Sequence, residues 1–165
     1  MKRDPRLVRL SREQTHALLL AQRIRRALPA AADDDVSALY TTVVAFWSAG
    51  LLPHFGAESE CLLARLVRHV PEDDARVLRL QRDHLHIEAQ IAAMHDARDG
   101  DARRAALAEF AAAMPLHVRW EEETLFPATE SLLTEHELDA LGDDLAERLP
   151  EMPAPFVGPL PPGDR

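Results

Sequence analysis

Cysteine is nearly missing from this sequence: Cys61 is the single one in 165 residues. One thiol makes no internal disulfide and excludes any multi-cysteine zinc or iron–sulfur site. Strand signals are scarce too, because β-branched residues are few and scattered and no run alternates as a half-buried strand would. The opening Met1-Lys2-Arg3-Asp4-Pro5 is followed by no apolar leader segment. The longest apolar stretch, Val43 to Pro53, is interrupted by Ser48 and is too short to cross a bilayer. Positive charge is in the minority, with 19 Lys and Arg against 28 Asp and Glu and a formal net charge of −9. A phosphate backbone needs a concentrated basic face, and an anionic membrane attracts the same. The expectation is a cytoplasmic protein that binds neither nucleic acid nor membrane.

Helix formers are abundant. Ser11 with Gln14 three residues later reads as a capping box opening a first helix, in which His16, Leu20, Ile24 and Leu28 form the stripe up to Pro29. Asp33, Asp34 and Asp35 suit the positive end of a second helix. Its stripe continues through Leu39, Val43, Phe46, Leu51, His54, Glu58, Leu62 and Leu66, with a bend expected at Gly50 and Pro53. Val70-Pro71 ends it. A third helix follows, with Val77, Leu80, His84, Glu88, Ile91 and His95 on one face. After the turn Asp99-Gly100-Asp101, a fourth runs from about Ala102 to Phe126 and carries Leu107, Phe110, Met114, His117, Glu121 and Leu125. Thr134 and Glu137 form a second capping box, which opens a short fifth helix.

Long amphipathic helices joined by short connections make an all-α, antiparallel four-helix bundle, with the fifth helix laid across it. That domain takes residues 1–149. From Pro150 to Arg165 six of sixteen residues are proline, a non-helical tail with the look of a polyproline ligand for a protein partner. Monomer and homodimer both remain open.

The chemistry lies in the histidines. Each long helix places one on its stripe: His16, His54, His84 and His117. Three are followed one turn later by a glutamate, giving the pairs His54–Glu58, His84–Glu88 and His117–Glu121, each sharing a face. Carboxylates among Leu, Ile, Trp and Phe are costly to ionise unless paired or bound to metal. Two divalent cations would bring +4 against −3 from the three glutamates, closer to balance than the donor-rich site one ion would leave. Mixed imidazole and carboxylate without thiolate suits iron, and also manganese or zinc, while calcium prefers oxygen alone. Seven protein ligands on two six-coordinate ions leave room for dioxygen, water or nitric oxide.

Glu122 is the alternate to Glu121, and Glu123 is read as solvated. His95 is a second-layer or core residue, His69, His86 and His136 are surface residues, and Phe46, Trp47 and Trp120 are core wall. An internal echo aligns His54-Phe55-x-x-Glu58-x-Glu60-x-Leu62 with His117-Val118-x-x-Glu121-x-Glu123-x-Leu125.

The set His16, His54-Phe55-x-x-Glu58, Asp83-His84 and His117-x-x-x-Glu121-Glu122-x-x-Leu125-Phe126-Pro127 resembles the hemerythrin-like family, the HHE cation-binding domain. The resemblance implies a bundle around two non-haem iron ions (Fe) joined by an oxo or hydroxo bridge. His16, His54, His84 and His117 would be terminal ligands, and Glu58 and Glu121 would bridge. Oxygen carriers of the family have a further histidine where this chain has Glu88, and an anionic ligand there favours the oxidised pair over reversible oxygen storage. The implied roles are oxygen or redox sensing, protection from nitric oxide or peroxide, and iron handling, whether or not through an enzymatic reaction. The alternatives are a metal-independent helical interaction domain and a mononuclear or zinc-binding bundle.

Overall fold

The computed structural model describes residues 3–149, and among them the chain forms five helices and no strand. The first helix is Val8–Ala27, and the second runs unbroken over Asp33–Leu66. The third is Ala75–Asp96, the fourth spans residues 100–132, and the fifth is Glu135–Arg148. The fourth helix packs against the first, second and third, and the fifth lies across the first and second. The proline-rich tail lies outside the described residues.

Side-chain caps set several of these boundaries. The Asp74 carboxylate accepts from the Arg76 N–H at 2.9 Å, and that of Asp99 accepts from the Ala102 N–H at 2.8 Å. Thr134 and Glu137 form the expected reciprocal box. Ser11 and Gln14 do not. The first helix has already begun at Val8, so both lie inside it and reach sideways to the fourth helix, Ser11 to Glu122 and Gln14 to Glu121.

Pro53 and Pro127 are absorbed rather than terminating. Leu52, just before Pro53, donates its N–H five residues back to Trp47, closing a π-helical turn over Trp47–Leu51. Phe126, just before Pro127, donates to Glu121 in the same way across Glu121–Leu125. A proline leaves one carbonyl without its donor and crowds the turn before it, and a wider turn upstream relieves both. The fourth helix therefore continues past Pro127 to Leu132 instead of ending near Phe126.

The second helix also passes through Pro53, which corrects the view that no apolar stretch is long enough to cross a membrane. By length and composition alone this helix is, with a mean hydropathy of 1.4 over its best window. Its inward residues Val36, Leu39, Val43, Phe46, Leu51 and Phe55 pack within the bundle.

The apolar interior falls into two clusters. One holds Ala17, Leu51, Phe55, Ile87, Met114 and Val118, and the other Leu10, Cys61, Leu80, Trp120, Leu125 and Phe126. Each of the first four helices crosses from one cluster to the other, and where it crosses it buries polar side chains: Gln14, His54 with Glu58, His84, and His117 with Glu121. The bundle is built of hydrocarbon at both ends and polar donors in the middle.

The fifth helix carries a pH-sensitive end. The hydrogen bond from His69, followed by Thr134's backbone N–H, holds the Glu137 carboxyl down at about 2 from its ordinary 4.5. A depressed acid stabilises the fold above its unfolded value and loses that contribution as the pH falls through its folded value. Amide-exchange protection of the first turn of Glu135–Arg148 should hold above pH 4.5 and decline as the pH drops toward about 2. Glu137→Gln should abolish the acid-dependent step.

Candidate metal centre

In the middle layer Glu58, His84, His117 and Glu121 each offer a ligand atom within 4.8 Å of the others, and all four are buried. They come from three helices. On the second and fourth, the four-residue spacing puts His54 above Glu58 and His117 above Glu121 on one inward face. A π-helical turn begins at each of these glutamates, so the internal echo in the sequence corresponds to a repeated local geometry.

Glu58 lies between two histidines. Its Oε1 is 3.2 Å from His54 Nε2, and its Oε2 is 3.1 Å from His84 Nε2. Glu121 Oε1 is 3.3 Å from His117 Nε2, and its Oε2 accepts a 2.7 Å hydrogen bond from the Gln14 amide. Phe55 stacks on His84 with ring centroids 3.8 Å apart and planes 8° from parallel, and the His84 and His117 rings meet edge to face. These rings fix where the imidazole nitrogens point.

The ion-pair distances do not amount to hydrogen bonding. His54 Nε2, both oxygens of Glu58, His84 Nε2, both ring nitrogens of His117 and Glu121 Oε1 are buried without a hydrogen-bond partner. Buried polar groups are otherwise almost always bonded. Here six of these atoms from five side chains, all but His117 Nδ1, converge without partners, and their chemistry is that of ligands for a borderline divalent metal. The residues fit a cation.

Without a cation the layer balances itself through protons. Burial works against a charged His54, but the Glu58 and Glu13 carboxylates outweigh it and hold the imidazole up at about 10. Burial would raise Glu58, and the two facing histidines instead hold it well below the usual carboxylate range. Burial lowers His117 to about 4, and burial together with the Glu58 charge raises Glu121 well above its ordinary value. The metal-free layer thus holds one imidazolium–carboxylate pair and a neutral acid.

Three residues expected at the centre stand outside the four-residue cluster: His54, buried beside Glu58, and His16 and Glu88. His16 is half-buried, because the buried stripe of the first helix is Leu10, Gln14, Ala17, Leu20, Ala21 and Ile24 rather than the one traced through His16. At about 100° per residue, His16 points roughly 100° away from that stripe. Glu88 is half-buried as well, since Ile87 and then Met94 take the inward positions beyond His84. Glu122, the alternate to Glu121, is engaged elsewhere and pairs with Arg3 at 2.6 Å. His95 meets the Tyr40 hydroxyl and His69 meets Glu137, both outside the cluster.

Two residues were missed. Gln14 is 4 % exposed and bonds Glu121, and Glu13 Oε2 lies 3.3 Å from His54 Nδ1. The signal was a polar residue in an apolar stripe, Leu10-x-x-x-Gln14-x-x-Ala17, which the capping-box reading of Ser11 and Gln14 concealed.

A helical bundle whose central layer gathers imidazoles and carboxylates from facing helices belongs to the metal-binding class of bundles. More narrowly, the protein belongs to the hemerythrin HHE cation-binding domain family, whose model matches residues 8–129. Neither the curated proteins nor the solved structures gave a match.

The two glutamates differ sharply in the metal-free protein. Glu58→Gln removes the counter-charge of a buried imidazolium and should cost about 3 kcal/mol in urea unfolding. Glu121→Gln replaces a neutral acid by a neutral amide of the same shape and should cost less than about 1 kcal/mol. Equal costs would contradict this division of charge.

Proposed function

We propose that this protein is a non-haem diiron protein that binds or reacts with a small ligand (dioxygen, peroxide or nitric oxide) in oxygen or redox sensing, stress protection or iron handling. The carrying observation is the convergence of buried, partnerless imidazole and carboxylate atoms in the central layer. Glu58, with its two oxygens turned to histidines on different helices, has the disposition of a carboxylate shared between two ions. His54, His84 and His117 would complete the set with Glu121. Iron bound there would supply one-electron redox chemistry toward such ligands.

The chain's own residues limit what can arrive. Beside His54, His117 and Glu121 is an internal space of about 10 Å³, walled by Phe46, Leu51, Phe55, Met114 and Val118. A space of that size suits an occupant on the order of one water molecule. That favours a diatomic ligand or peroxide over an organic substrate, and the apolar wall keeps bulk water from the donors. Gln14 and Glu121 on the same wall offer an amide and a carboxyl with which to hold a proton or a hydrogen bond near that ligand.

A single-ion site is the second reading, and one observation favours it. With Glu88 outside, the cluster holds two glutamates and two histidines, a set that one divalent ion would both balance and complete. Metal counting on protein purified anaerobically from iron-supplied cells decides between them. The diiron reading expects two irons per chain and an absorption change on exposure to oxygen or nitric oxide. One metal per chain establishes the second reading, and none removes both. In the diiron case, His84→Ala or His117→Ala should lower iron retention at least tenfold, a loss read by chelator competition.

A further inference from the structure

Resting on the metal-binding reading, we infer that the first helix serves the centre through Glu13 and Gln14 as positioning residues. Consecutive residues of one helix reach the two outer members of the site. Glu13 Oε2 lies 3.3 Å from His54 Nδ1, and Gln14 Nε2 lies 2.7 Å from Glu121 Oε2. Neighbouring positions about 100° apart on a helix can do this because His54 and Glu121 lie on different helices flanking the first.

The Glu13 contact decides a tautomer. A carboxylate only accepts, so the Nδ1 proton of His54 is the one it engages, and Nε2, 3.2 Å from Glu58, is the nitrogen whose proton a cation would displace. A carboxylate behind a ligating histidine fixes the ring and makes it a better donor. Glu13 also restores the charge balance that Glu88 was expected to provide. With Glu58 and Glu121 it makes three carboxylates facing the layer, so two divalent cations again meet −3. Its side chain is 10 % exposed, whereas Glu58 is fully buried, so this charge is carried at the margin of the layer.

Gln14 does the corresponding service for Glu121. Its amide hydrogen bond fixes one carboxylate oxygen and leaves the other, which lies 3.3 Å from His117 Nε2, without a partner.

The test uses the full chain with Fe(II) added anaerobically, and measures apparent affinity by chelator competition and the urea midpoint of the metal-free protein. Glu13→Ala should weaken iron binding about 10- to 100-fold, more than its loss of metal-free stability accounts for. Glu13→Gln should recover part of the loss, because an amide oxygen still accepts from Nδ1–H, and it also carries the test if the alanine variant folds poorly. Gln14→Ala should weaken binding in the same direction. Wild-type affinity in both Glu13 variants overturns the positioning role, as does a loss of affinity no larger than the accompanying loss of metal-free stability. A wild-type chain that takes up no iron fails differently: the metal reading itself falls, and the positioning role falls with it.

Discussion

The constraint on which the structure depends is the burial of imidazole and carboxylate atoms without hydrogen-bond partners between two layers of hydrocarbon. Each such group would cost a few kilocalories per mole if it stayed unsatisfied. Among the described residues most of these atoms gather around Glu58, His84, His117 and Glu121, and His16 Nδ1 is a further buried imidazole nitrogen without a partner. A cation answers the cost of most of them at once. The two apolar clusters hold four helices at the spacing this layer needs, and in doing so they make the site part of the core.

The local backbone serves the same end. Both glutamates open π-helical turns, and two of the three such turns are followed directly by a proline. Each widened turn inserts a residue and swings the following side chains round by about 100°. Past Glu121 the helix thereby returns Leu125 and Phe126 to the apolar cluster while Glu122 turns toward Arg3. Pro127, which looked like a helix end in the sequence, is accommodated, like Pro53, in a continuous helix that runs past the site.

Much of this was legible beforehand. The His54–Glu58 and His117–Glu121 pairs were readable because four-residue spacing on a helix leaves little freedom, and His84 because it sits between Leu80 and Ile87. The first helix was not. Its stripe could be drawn through His16 or through Gln14, and histidine attracted the reading, while the burial of Gln14 became visible only once the fourth helix was in place. Glu88 is only half-buried for a related reason: from His84 both the third and the fourth following residue lie near the inward face, and packing gave the interior to Ile87. Sequence periodicity fixes a face to within one residue, and coordination chemistry is sensitive to that residue.

The most direct measurement is anomalous diffraction at the iron absorption edge from crystals of the iron-loaded full-length protein. The account predicts two anomalous peaks in the central layer, with Glu58 between them and His54, His84, His117 and Glu121 around them. An absence of any peak among these side chains, or iron found only on the protein surface, would contradict it.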